Sequence, residues 1–186
     1  VLFRSGSAGQ TPIRVCATPD KQSLTAFALV AAQQEVNFFN SYFKIPYPYE
    51  KLDIIGIPDF AAGAMENAGA ITFRERMLLA DEKNASVGVR KSVASVIAHE
   101  LAHQWFGDLV TMKWWDDIWL NEGFATWAAN KPLAAWKPEW NLDLNAATEK
   151  QTALGLDTLR STRAIHTQVN TPAEINEVRS EEHTSE

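Results

Sequence analysis

The sequence predicts an α+β fold, a small mixed sheet followed by helices. Three observations carry this reading: short strand-like segments bounded by proline or glycine near the start, long segments with apolar residues at helical spacing, and helical periods alone beyond Asn84. Pro12 to Thr18 reads as a strand, partly β-branched and ended by Pro19. From Lys21 to Phe43, residues Leu24, Ala28, Ala32, Val36, Phe39 and Phe43 recur with the period of a helix, and Pro46 and Pro48 stop it. Leu52 to Ile57 is a compact apolar strand closed by Pro58. Ala70 to Phe73 is another, with Gly63 and Gly69 bracketing the stretch between them. The next helix is expected to start at Asn84 or Ser86, either of which can cap it, and to stop at Gly107. Its buried stripe is Val89, Val93, Val96, Ile97 and Leu101. A helix from Leu120 to Asn130, with Pro132 following, and one from Pro138 to about Arg160 complete the set; from there to Val178 no period is clear.

A length of 186 residues with 46% apolar composition suits one domain with a core of its own. The net charge of −6 argues against nucleic acid or an anionic membrane as partner. No apolar run approaches the roughly 18 residues of a transmembrane helix. Cys16 is the sole cysteine, so no internal disulfide forms, and it reads as a small buried hydrophobe. Both ends look foreign. Val1 to Ser5 and Arg179 to Glu186 resemble translated sequencing-adapter DNA in opposite orientations. The expected organisation is therefore a foreign end at 1–5, part of a catalytic domain at 6–178, and a second foreign end at 179–186. Such a chain is an internal fragment whose first residue carries no targeting information, so its compartment stays open.

His99-Glu100-Leu101-Ala102-His103 is an HExxH sequence on the long predicted helix. Residues four apart share a helical face, so both imidazoles can reach one ion. Glu100, one residue past the first histidine, projects beside the metal, where a general base for an activated water must sit. Eighteen residues separate His103 from Glu122 at the start of the next predicted helix. Two histidines and one glutamate leave a position on zinc open for water or substrate, as a catalytic site requires. Of the other two histidines, His183 lies in the adapter-like tail and His166 reads as a surface residue.

Gly63-Ala64-Met65-Glu66-Asn67 spells GAMEN, and with HExxH, eighteen residues and glutamate the chain resembles the gluzincin aminopeptidases of peptidase family M-one, relatives of alanyl aminopeptidase. The segment from Trp115 to Ala125 resembles that family's third-ligand region, and the likeness covers about Pro12 to Val178. The resemblance implies a thermolysin-like catalytic domain holding one Zn²⁺ on His99, His103 and Glu122, with Glu100 as general base. It implies peptide substrates with a free N-terminal amine, bound by residues 63 to 67. Glu66 would hold the α-ammonium through a charge-assisted hydrogen bond, and the backbone of Gly63, Ala64 and Met65 would lie along the substrate as an added strand. Glycine at 63 lets the ligand backbone come close.

The chain also departs from the family. The oxyanion-stabilising tyrosine is expected just past Val178, but the only tyrosines are Tyr42, Tyr47 and Tyr49, all upstream of HExxH. Losing one oxyanion donor slows such a reaction roughly 100- to 1000-fold, so the fragment is expected to be poorly active and the parent active. Three other readings compete: an epoxide hydrolase/aminopeptidase of the leukotriene hydrolase type, whose motif resembles GGMEN where this chain has Ala64; an endopeptidase of the thermolysin group, which shares the zinc triad but has no need of an amine-binding glutamate; and a non-catalytic scaffold, which tends to lose the ligands intact here. The seven tryptophans, all between Trp105 and Trp140, read mainly as packing around the metal helices. Thr126, one turn after Glu122, is a candidate to hydrogen-bond a metal ligand. Arg74, Glu75 and Arg76 read as a solvated charged stretch.

Overall fold

Alternation of buried and exposed side chains builds the sheet. In β2 (Thr11–Ala17), Ile13, Val15 and Ala17 turn to the core while Arg14 turns out. β2 pairs antiparallel with β1 (Leu2–Ala8) and parallel with β3 (Leu52–Ile57). Beyond β3 come β5 (Ala70–Arg74), parallel to it, and β4 (Ala64–Met65), an antiparallel edge strand, giving a mixed five-stranded sheet in the order β1-β2-β3-β5-β4. The computed structural model describes residues 1–159, 164–171 and 173–175. The foreign end assigned to 179–186 lies outside these residues, as do Arg160 and Val178.

α1 (Ala26–Phe43) makes the crossover from β2 to β3 and buries Phe27, Ala28, Ala32, Val36 and Phe39. It packs on β1, β2, α3 (Val87–His103) and α4 (Trp119–Trp136). A short helix, α2 (Glu75–Leu78), follows β5, and α5 (Leu142–Asp157) comes after α4. The core joins Ile13, Leu52, Ile54, Ile71 and Phe73 of the sheet to Ile97 and Leu101 of α3 and Leu133 of α4. Trp105 closes it, 5.4 Å from Phe43, 5.6 Å from Tyr47 and 5.7 Å from Phe39 between ring centroids. Among the described residues, no helix is long and apolar enough to cross a membrane.

The α+β reading holds, and β3 runs over the expected residues; several other boundaries differ. Leu2 to Ser5, set aside above as a foreign end, form the outer part of β1 opposite Arg14 to Ala17. Ladder hydrogen bonds use backbone groups that every non-proline residue carries, so the origin of these residues does not prevent pairing. The helix expected from Lys21 begins at Ala26, because a 3₁₀ segment from Pro19 to Thr25 precedes it. Ser86 caps α3, its Oγ accepting from Val89 N at 3.2 Å. Val89 itself is exposed in the first turn, before the helix reaches the core, and α3 ends at His103 rather than Gly107.

α4 does not stop at Asn130 but runs through Pro132 to Trp136. Ala125, Ala128, Ala129, Pro132 and Leu133 are all buried, and that apolar face sustains the helix across one missing backbone hydrogen bond. The helix expected from Pro138 is split: a 3₁₀ turn over Pro138–Trp140 ends at Asn141 in the left-handed region (φ 51°), and α5 follows. The charged stretch is not uniformly solvated. Glu75 is buried against Lys21 and Thr18, and Arg74 Nε donates to the Phe60 carbonyl at 2.9 Å; only Arg76 is exposed. Trp105 and Trp140 are core residues, but Trp114, Trp115 and Trp127 are about half exposed, so the packing reading covers only part of the tryptophan cluster.

Candidate metal centre

Helical periodicity brings His99 and His103 one turn apart on α3, with ring centroids 4.8 Å apart and planes at 78°. Their Nε2 atoms are separated by 3.2 Å. The packing of α4 on α3 delivers Glu122, whose Oε2 lies 3.1 Å from His99 Nε2 and 3.4 Å from His103 Nε2. Among the described residues, these three form the group whose ligand atoms converge closely enough to hold a metal ion. The set can bind a metal. His103 and Glu122 are buried, while the His99 side chain keeps 15% of its surface, so the centre opens on the His99 side.

Tautomers follow from the partners. His103 Nδ1 is 3.3 Å from the Phe106 carbonyl, which only accepts, so Nδ1–H donates there; Nε2 faces the cluster, donating to Glu122 when the ring is protonated and offering its lone pair when it is neutral. Thr126 Oγ1 stands 3.4 Å from His99 Nδ1, the position anticipated for a residue that steadies a ligand ring. Burial opposes the charge on Glu122, but hydrogen bonds from His103 and His99 more than offset it and hold its carboxyl well below the usual range. Burial likewise disfavours a charged His103, yet Glu122, Glu66 and Glu100 raise its pKa on balance. Glu100 is buried on the same helix. The result is a negative, imidazole-lined centre whose donor chemistry fits a divalent cation such as zinc.

The turn after α3 fits closely around this centre. At Gly107 (φ 129°) an added Cβ would lie 2.7 Å from Asn121 Oδ1 and 3.1 Å from His103 Nδ1. Sequence reading had treated Gly107 only as a helix stop.

GAMEN lies at one edge of the sheet, with Ala64 and Met65 forming β4. β4 pairs Ala64 with Phe73 and Met65 with Thr72, and the Gly63 carbonyl accepts from Arg74 N at 2.8 Å. A Cβ at Gly63, just ahead of β4, would meet nothing within 4 Å, so the space beside that residue is open. Glu66 is partly buried; Asn67 is exposed and its Nδ2 donates to Thr72 Oγ1 at 3.2 Å. An open cavity of about 430 Å³ lies beside the motif, lined by Glu66, Asp108, Met112, Trp114, Trp115 and Ile118. Burial and the neighbouring charge of Glu66 push Asp108 up to about 6. Sequence reasoning missed two residues here, Asp108 and Gln104. Nothing in their local pattern signals a partner, and the only available hint was the position of Gln104 directly after His103.

A His, His, Glu cluster that could hold a metal ion therefore sits on α3 and α4, and comparison with known proteins says to which class such a site belongs. The model of the peptidase family M1 domain matches residues 27–183. A probable aminopeptidase 1 of Sulfurisphaera tokodaii is 50% identical over 175 residues, covering 94% of this chain and 22% of the relative. Aminopeptidase M1 of Arabidopsis thaliana is 46% identical over 89% of the chain and 19% of the relative, and aminopeptidase 2 of Candida albicans is 46% identical over 91% and 18%. The chain belongs to peptidase family M1. It spans about a fifth of the length of these relatives.

Proposed function

We propose that the complete protein to which this chain belongs is a zinc aminopeptidase that removes N-terminal residues from peptides. The observation that carries this reading is the convergence of His99 Nε2, His103 Nε2 and Glu122 Oε2 on a helix pair that reaches, through Gln104, the residue Glu66 just after the edge strand β4. Two imidazoles and a carboxylate suit zinc, which when bound supplies a Lewis acid and a water acidic enough to attack near neutral pH. Glu66 receives the substrate's α-ammonium as a charge-assisted partner. The Gly63 to Met65 edge pairs with the substrate backbone, and Asn67 closes the motif. Glu100 takes the proton of the attacking water and returns it to the departing amine.

The same reading assigns the isolated chain little activity. Tyr47, one of its three tyrosines, is buried with its hydroxyl committed to Gln104, and burial pushes its pKa up. Tyr42 lies on α1 and Tyr49 packs edge-on against Tyr47. No oxyanion donor is therefore assigned among them, which corresponds to a rate deficit of about 100- to 1000-fold. The test is hydrolysis of aminoacyl-arylamides by the complete protein, set beside the N-acetylated compounds. Cleavage of the free amines alone supports the proposal. Equal cleavage of both indicates an endopeptidase, and hydrolysis of an epoxide in addition to free-amine cleavage indicates an enzyme of the leukotriene hydrolase type.

A further inference from the structure

Gln104 follows His103 directly, and its side chain is completely buried. Every hydrogen-bonding position of its amide is used. Oε1 accepts from Gly69 N at 2.9 Å and from Tyr47 Oη at 3.0 Å, while Nε2 donates to the Glu66 carbonyl at 2.8 Å and to Asp108 Oδ2 at 2.8 Å. The orientation of the amide is dictated by these partners, since a backbone N–H only donates and a carbonyl only accepts. A carboxylate at this position could not donate to Glu66 O, and an apolar side chain could serve none of the four. Two of the bonds reach the segment from Glu66 to Gly69. Gly69 holds the left-handed region (φ 66°), and a Cβ there would come within 3.2 Å of the Lys51 carbonyl. The backbone of Gln104 continues the end of α3, its N–H donating to Leu101 O at 3.1 Å.

We infer that Gln104 is a positioning residue: a strut from the metal-binding helix to the Glu66 loop that sets the distance between the amine-holding carboxylate and the His99–His103–Glu122 centre. The inference rests on the aminopeptidase reading above. An α-ammonium and the carbonyl of the first peptide bond are held apart by a single Cα, so the carboxylate and the metal must keep one fixed separation to cut after one residue. A displacement of about 1 Å in such a site costs roughly 100-fold in rate.

The test uses the complete zinc-loaded protein, Gln104→Met, and two inhibitory probes: leucine hydroxamate, which offers a metal ligand and an amine, and acetohydroxamate, which offers the metal ligand alone. In Gln104→Met, bound zinc stays at one per chain and acetohydroxamate inhibition stays within about 2-fold. Leucine hydroxamate weakens at least about 10-fold, and kcat/KM for a leucyl-arylamide falls about 100-fold. Tyr47→Phe removes one bond of the strut from outside the loop and gives the same split at about 2- to 5-fold, which keeps the inference testable if Gln104→Met fails to fold. Equal weakening of both probes, loss of zinc, or no change in either overturns the positioning role. A wild-type protein that binds both probes alike overturns the aminopeptidase reading itself, and the inference with it.

Discussion

Gly107 and His103 are in such close apposition that a β-carbon at position 107 would lie 3.1 Å from His103 Nδ1. That nitrogen already faces the Phe106 carbonyl, so the ring has no freedom to retreat without losing its tautomer-setting contact. Gly107→Ala is therefore predicted to tilt His103 and weaken metal binding about 10- to 100-fold, as loss of a ligand-orienting contact does. It also forces a side chain to φ 129°. Competition with a chromophoric chelator checks the prediction; unchanged zinc affinity contradicts it.

Thr126→Val removes the hydroxyl 3.4 Å from His99 Nδ1 while keeping side-chain volume. The contact is long and the residue exposed, so the expected loss of zinc affinity lies near the lower, about 10-fold, end of the range for such groups. If chelator competition gives the same affinity for both proteins, Thr126 has no role at the centre.

Glu35 is fully buried on α1, and both its carboxylate oxygens lack a hydrogen-bond partner among the described residues. Burial raises its pKa well above the usual carboxylate value. The folded state thus holds a proton that the unfolded state has released. Stability is full below the unfolded pKa and falls as pH rises toward the folded one, with a slope of up to about 1.4 kcal/mol per pH unit. Glu35→Gln is predicted to raise the melting temperature at pH 7 and to leave it nearly unchanged at pH 4. A loss of stability at pH 7 sinks the prediction.

Arg74 ties the chain ahead of GAMEN to the sheet, donating to the carbonyls of Phe60 and Ala61. Arg74→Ala is expected to loosen that segment, raising KM for aminoacyl-arylamides several-fold, on the order of 3- to 10-fold, with bound zinc unaltered. Steady-state kinetics on the complete protein decides it, and an unchanged KM removes the tether from the account.

Local chemistry made part of this molecule legible and long-range packing hid the rest. His99 and His103 could be paired from sequence because an i, i+4 spacing fixes a shared face wherever a helix forms. β3 was legible as a short apolar run bounded by punctuating residues. Glu122 needed the family resemblance as well as its spacing, since no local rule brings α4 to α3. Pro132 misled because burial of its helix face outweighs the propensity that proline carries. Glu75 misled because its partner Lys21 is 54 positions away, and Gln104 went unnoticed because Gly69, Glu66 and Tyr47 lie 35, 38 and 57 positions away. In each case the partner, not the residue, carried the information.

The central claim is that His99, His103 and Glu122 hold one catalytic zinc for attack on peptides with a free amino terminus. Titrating metal-stripped complete protein with Zn²⁺ while following aminoacyl-arylamide hydrolysis tests it most directly. The account predicts that activity is absent at the start, rises linearly, and levels off at one zinc per chain. In Glu100→Gln the same single zinc should bind while hydrolysis stays at least about 100-fold lower. Hydrolysis that persists in the stripped protein, or one bound zinc with no hydrolysis in the wild type, would contradict it.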